Sequence, residues 1–246
     1  MMQTTTLAYM DDQHCTTGTS TVLAVTDDAK DGMACVVLDA TCFYPQGGGQ
    51  AWDTGSMTAP GARFAVQEVR FVDGYVHHYG RFEEARFAVG TSISYAIDAE
   101  RRTMNARLHS AGHLLDEAVK NLGYGWAPTK GIHYPGQAAV EYTGAVEDCE
   151  AARQSIEAEA NRLISTGHPV SAALVSAEAL PTVSSFVPPN LPENKPIRVV
   201  TMWGDKGTPC GGTHVKDITD IGTMAVRYVK AKKGQIKVAY ELEGCA

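Results

Sequence analysis

Two pairs of residues in this chain could ligate a metal. His109 and His113 bracket the segment HSAGH, and Cys210 and His214 bracket CGGTH. On a helix, residues i and i+4 share a face with Cβ atoms about 5–6 Å apart, so both imidazoles can close on one ion. Cys210 and His214 would add a thiolate and a third imidazole. Three nitrogens and one sulfur suit tetrahedral zinc, and the soft sulfur argues against magnesium or calcium. Gly211 and Gly212 are expected to supply the positive φ that lets a tight turn aim both side chains inward. Ser110 follows His109 where an HExxH protease needs its general-base Glu, which excludes that chemistry. Taken singly, each half is a weak signal. Lying roughly a hundred residues apart, they reinforce one another only moderately.

The elements that must position these residues are legible in outline. Residues 20–97 read as β: STVLAV, MACVVLDA, RFAVQEVRFV, YVHHYG and TSISYAI are short β-branched or aromatic runs. They are separated by the turn segments DDAKDG, PQGGGQ, APGA and VDG, a pattern that points to a small barrel. From Asp98 the period changes to that of a helix, with Met104, Leu108, Leu115, Val119 and Leu122 on one stripe, Asp98 as N-cap and Gly123 as the stop. A hairpin over 133–142, a second helix over 146–167 and an exposed loop over 188–196 follow. A strand over 197–202 and a closing hairpin over 223–244 complete the chain. The expected class is α+β: a barrel domain over 1–97 that includes the Gly-rich segment, then an α/β domain over 98–246 with a helix packed on an antiparallel sheet.

Composition narrows the function classes. The 246 residues contain 44% hydrophobic residues and six cysteines without framework-like spacing. No apolar run reaches membrane-spanning length, and the N-terminus lacks a basic-then-apolar leader. These features lead to the expectation of a cytoplasmic protein with free thiols, and no feature calls for a protein partner. The net charge of −7 means that any RNA contact needs a local basic face. Lys230, Lys232, Lys233 and Lys237 form the one concentrated positive run, and Arg101, Arg102 and Arg107 lie around the first helix. Three consecutive glycines, Gly47 to Gly49, permit close approach of an RNA backbone, and Tyr44 and Trp52 beside them are candidates for base stacking, with core packing the commoner use. His77, His78 and His133 read as ordinary strand residues.

HSAGHLL followed by CGGTHV resembles the editing domain shared by alanyl- and threonyl-tRNA synthetases. DATCFYPQGGGQAWDTG resembles the Gly-rich segment before the alanyl editing domain, and the likeness runs through IDAERRTMNARLHS to GQIKVAYELEG. Without room for an aminoacylation domain, the chain is similar to free-standing alanyl-tRNA editing proteins of the AlaX type, in the medium form that carries GGGQ. The resemblance implies an N-terminal barrel joined to an α/β editing domain. It also implies ATP-independent hydrolysis of tRNA(Ala) mischarged with serine, and in some members glycine. It places one zinc per chain on His109, His113, Cys210 and His214, with His109 and His113 at the catalytic centre. Thr129 falls where related proteins contact the serine hydroxyl. Gly47, Gly48, Gly49 and Gln50, with the four lysines, become the expected tRNA contacts. Between the histidines, Gly112 lacks a side chain that often sits beside the substrate in relatives. Two other readings stay open on the residues alone: an RNA-binding protein with a structural zinc, and a metallohydrolase of a small ester.

Overall fold

The computed structural model describes residues 4–27, 32–188 and 195–245. It divides into two compact units, Met1–Gly47 with Ala51–Thr103, and Gly48–Gln50 with Met104–Ala246.

The first unit holds β1 (Thr6–Leu7), β2 (Thr17–Asp27), β3 (Ala34–Leu38), β4 (Ala40–Thr41), β5 (Gly55–Ala59), β6 (Ala62–Val72), β7 (Tyr75–Phe82) and β8 (Ser92–Ile97). Six of them close a barrel in the order β2-β3-β7-β6-β5-β8, and each neighbouring pair is antiparallel. Closure leaves no free edge to pair with another chain. Strand β8 shows the period of two that a barrel wall requires: Ile93, Tyr95 and Ile97 point inward, and Ser92, Ser94 and Ala96 face out. Asp73 and Gly74, both with positive φ, join β6 to β7 as the two-residue turn whose twist suits a hairpin. The sequence reading omitted β5, whose one large apolar side chain is the fully buried Met57. Most of the expected DDAKDG turn lies outside the described residues.

Arg102 and Asp53 form a buried ion pair in this unit, 4% and 0% exposed. The guanidinium also donates to the carbonyls of Cys42 at 2.6 Å and Gln13 at 2.9 Å, and Asp53 accepts the Tyr44 N–H at 2.6 Å. Arg102 is therefore internal, not one of the phosphate-facing arginines the sequence suggested.

Helix α1 (Ala99–Asn121) begins with Asp98 accepting the Arg101 N–H. Beyond it come β9 (Ala127–Ile132), β10 (Ala139–Thr143), α2 (Cys149–Thr166), β11 (Ser171–Val175), α3 (Leu180–Val183), β12 (Ile197–Thr201), β13 (Thr208–Pro209), β14 (Met224–Lys232) and β15 (Gln235–Leu242). One sheet runs β14-β15-β10-β9, and a second runs β11-β12-β13. Asp148 caps α2 by accepting the Glu150 and Ala151 N–H groups. From α1, Leu108, Leu114, Leu115 and Val119 share a core with Val140 and Tyr142 of β10, Val238 and Tyr240 of β15, and Ile156 and Leu163 of α2. Each such fully buried side chain contributes about 1.5–3 kcal/mol. Leu122, expected on the buried stripe, lies past the helix end and is exposed. The loop expected over 188–196 falls mostly outside the described residues. The class is α+β with a closed six-stranded barrel.

Asp116 on α1 is half-buried and accepts a 2.7 Å hydrogen bond from the Tyr142 hydroxyl. Burial pushes its carboxyl up to about 7, against the lowering effect of that hydrogen bond. The folded state therefore holds a proton the unfolded chain releases near its ordinary value, and the stability this gives is lost as pH rises from about 4 through about 7. Asp116→Asn, neutral throughout, is expected to become more stable relative to the wild type by about 1–2 kcal/mol across that interval, the figure being reduced for partial solvent access. Urea melts at pH 5 and pH 8 check this. An equal difference at both pH values contradicts it.

Candidate metal centre

The four residues singled out in the sequence come together in the second unit. One ligand atom from each of His109, His113, Cys210 and His214 lies within 4.8 Å of the others, so this group could hold a metal ion. The Cys210 Sγ stands 3.5 Å from His109 Nε2 and 3.3 Å from His214 Nε2. A tetrahedron with Zn–N near about 2.05 Å and Zn–S near about 2.3 Å has N–S edges of about 3.5 Å, which these two spacings match. His109 and His214 are buried, whereas His113 and Cys210 keep partial exposure.

The donors come as two pairs, each held by a different part of the fold. His109 and His113 project from α1 one turn apart, with ring centroids 5.1 Å apart. Cys210 and His214 sit in the segment after β13. There Arg198 of β12 donates to the carbonyls of Cys210 and Gly212, both at 2.9 Å, and the Arg198 carbonyl accepts the Cys210 N–H. Neither Gly211 nor Gly212 has positive φ, contrary to the expectation from sequence. Gly212 is required for a different reason: a Cβ there would meet His109 Nδ1 at 2.3 Å. The glycine lets the loop lie against the imidazole.

A second layer fixes the rings. Gln50, with 0% exposure, accepts at Oε1 from the Thr213 N–H at 3.0 Å, and the same oxygen lies 2.7 Å from His109 Nδ1. Its Nε2 donates to Thr213 Oγ1 at 2.9 Å. An amide oxygen only accepts, so His109 carries its proton on Nδ1 and presents a bare Nε2 towards Cys210. Ser110 Oγ stands 3.1 Å from His214 Nδ1 and accepts the Val215 N–H. Burial, then the neighbouring imidazoles, hold His109 well below the usual histidine range. Burial holds His113 down to about 4, and burial with His113 and Arg198 lowers His214. All three rings are neutral lone-pair donors at neutral pH. Burial raises the Cys210 thiol, opposed by the Gly212 N–H and by Arg198.

Gln50 was read from sequence as a tRNA contact within GGGQ. The structure places its side chain inside, on a metal-site histidine. Outer partners of this kind are typically worth 10–100-fold in metal affinity. Gln50→Ala is expected to weaken zinc binding by about that factor while leaving one zinc per chain at saturation. Competition with a chromophoric chelator measures it, and an unchanged affinity contradicts it.

The remaining expected residues are placed as follows. Gly48 and Gly49 have φ of +53° and +76°, and a Cβ on Gly49 would meet the Gly131 carbonyl at 2.3 Å, so the close approach there is to β9 of the protein itself. Gly47 belongs to the first unit, where its carbonyl accepts from the Tyr44 hydroxyl at 3.0 Å. Tyr44 is buried, and the Trp52 indole donates to the Gln67 carbonyl with Arg70 over its ring. Thr129 is exposed on β9, the edge strand, and its hydroxyl donates to the Glu141 carbonyl at 3.0 Å. Lys230, Lys232 and Lys233 are exposed on the β14–β15 hairpin, and Lys237 lies 3.8 Å from Glu141. Arg107 is occupied by the carbonyls of Ile221 and Glu243. Sequence reasoning missed Arg198 and His133. The His133 ring stacks on His109 at 4.7 Å and 20°. Apart from Gly131, its neighbourhood is built from Gly49, Gly112 and Tyr240, all far away in sequence, so no local signal marked it.

Comparison with known proteins gives these residues a family context. A family model of class II (A) tRNA synthetases matches residues 2–101. The chain is 32% identical over 199 residues to the alanine–tRNA ligase of Halorhodospira halophila, covering 80% of this chain and 23% of that enzyme. It is 33% identical over 196 residues to that of Methanothrix thermoacetophila (78% and 21%), and 30% over 238 residues to that of Granulibacter bethesdensis (88% and 27%). The chain spans about a fifth to a quarter of the length of these relatives. It is accordingly related to the class II tRNA synthetases. Within them its relatives are the alanine–tRNA ligases. Among the described residues no helix is long and apolar enough to cross a membrane.

Proposed function

We propose that this chain hydrolyses the ester of Ser-tRNA(Ala), and of Gly-tRNA(Ala), at a zinc ion held by His109, His113, Cys210 and His214. The observation that carries the reading is the convergence of these four donors in a homologue of alanyl-tRNA synthetase. When bound, zinc supplies a Lewis acid that polarises a carbonyl or lowers the pKa of a bound water towards roughly 7. The protein's own part is positional. Gln50 and Ser110 fix the planes of His109 and His214, and His113 and Cys210, the two less buried residues of the four, are the side from which we expect an aminoacyl ester to approach.

Selectivity has a simple physical form. Serine exceeds alanine by one hydroxyl, which an apolar pocket rejects weakly and a hydrogen-bonding pocket selects strongly. Thr129 is the residue we assign to that hydroxyl. Its oxygen donates to Glu141, which leaves lone pairs for an incoming O–H. Residues 98–246 then form the editing domain, and the barrel over 1–97 is an RNA platform. Lys230, Lys232 and Lys233, with Lys237 beside them, are the phosphate contacts in this reading. One observation favours a second reading, an RNA-binding protein with structural zinc: four protein donors complete a tetrahedron without substrate. Deacylation of Ser-, Gly- and Ala-tRNA(Ala) side by side separates the two. Cleavage of the first two with Ala-tRNA(Ala) spared supports the editing reading, and no cleavage of any leaves the structural one.

A further inference from the structure

Gly112 stands in the middle of α1, where a glycine costs about 1 kcal/mol relative to alanine. The reason is His133. A Cβ at Gly112 would meet His133 Cε1 at 2.3 Å and Nδ1 at 2.6 Å, a Cβ at Gly131 would meet His133 Nε2 at 2.5 Å, and one at Gly49 would meet Cδ2 at 3.2 Å. Three glycines from three segments therefore make a slot for one imidazole. The His133 N–H also donates to the Gly49 carbonyl at 2.8 Å, which ties its backbone to the same slot.

The tautomer of this ring is fixed by its neighbour. The Tyr240 hydroxyl donates its one proton to the Leu108 carbonyl at 2.8 Å. Its oxygen can then only accept from His133 Nδ1, 2.7 Å away. The proton sits on Nδ1, and Nε2 is a bare acceptor with no hydrogen-bond partner among the described residues. The ring lies flat on His109, one of the four donors, its Nδ1 edge is held by Tyr240, and only the side-chain-free Gly131 stands against its Nε2 edge.

We propose that His133 is a substrate-contacting residue whose Nε2 accepts a hydrogen bond from the α-amino N–H of the aminoacyl group, the serine O–H being taken by Thr129 in the reading above. This assignment rests on the reading of the cluster as an aminoacyl-ester site. It differs from a supporting role, in which His133 merely braces His109 and Tyr240 and Nε2 contributes nothing.

Two variants separate these roles. His133→Asn keeps a donor near the Nδ1 position for Tyr240 and removes Nε2, whereas His133→Gln restores a polar atom near the Nε2 position. The measurements are kcat/KM for Ser-tRNA(Ala) and Gly-tRNA(Ala), zinc content, melting temperature, and binding of a non-hydrolysable 3′-seryl-amide and 3′-glycyl-amide of adenosine. With His133→Asn, kcat/KM and seryl-amide affinity should fall about tenfold, the worth of one hydrogen bond, at unchanged zinc and melting. His133→Gln should recover most of that loss. An equal fall for seryl and glycyl substrates supports the amine contact, and a fall confined to the seryl substrates overturns it. Wild-type values in His133→Asn overturn the contact, as does an equal loss in both variants accompanied by loss of zinc. If the wild type hydrolyses neither ester but binds the amides in a His133-dependent way, the contact stands and the deacylase reading falls. If it does neither, both fall.

Discussion

Cys210→Ala is expected to lower zinc from about one per chain to near zero after dialysis, and to reduce hydrolysis of Ser-tRNA(Ala) at least about 100-fold. Structural zinc sites in small peptides carry apparent binding free energies of about 10–16 kcal/mol spread over four ligands, so losing the thiolate removes several kcal/mol. Loss should be far larger than for Gln50→Ala, because Gln50 acts on the metal only through the His109 ring. The same thiol sets the pH dependence. Burial raises Cys210, so the metal-free site keeps its proton near neutrality and must release it on binding. The three imidazoles are held neutral by burial and release none. Zinc affinity should therefore rise about tenfold per pH unit between pH 6 and 8 in the wild type and be nearly flat in Cys210→Ala. Elemental analysis and chelator competition at the two pH values give both results. Full zinc retention in Cys210→Ala removes this residue from the site.

The second large effect belongs to the barrel unit. Arg102→Met should cost about 3–5 kcal/mol of stability, since it strands Asp53 at zero exposure without its counter-charge. It also leaves the Cys42 and Gln13 carbonyls without their donors. Because the penalty is chiefly that of an uncompensated carboxylate, Arg102→Met combined with Asp53→Asn should be less destabilised than the sum of the two single variants. Urea titration of the four proteins measures the coupling. A single-variant loss below about 1 kcal/mol means that the pair does not hold the unit together.

How much of this was legible in the sequence depends on how local each signal was. The helix of His109 and His113 announced itself through its cap at Asp98 and its apolar period, and the barrel strands through β-branched runs between turns. Strand β5 did not, because in GSMTA only Met57 reports the buried face. Strand β11 did not either, since SAALV is mostly exposed and pairs only with β12. The HxxxH and CxxxH pairs were visible because each spans five consecutive residues. Gln50 and Thr213 meet across 163 residues, and His133 meets Tyr240 across 107, so only the fold brings them together. Glycine was misread in an instructive way. At Gly212 the requirement is room for an imidazole, not an unusual backbone angle, and composition alone does not distinguish the two.

The central claim is that the four-donor cluster performs ester hydrolysis through a bound zinc. The most direct measurement is single-turnover hydrolysis of Ser-tRNA(Ala) by the wild-type protein as purified, after chelation to below about 0.1 zinc per chain, and after zinc is returned. The account predicts loss on chelation and recovery to near the starting rate on addition of one equivalent, with the protein folded throughout by circular dichroism. Hydrolysis that continues at the full rate in the zinc-free, folded protein would contradict it.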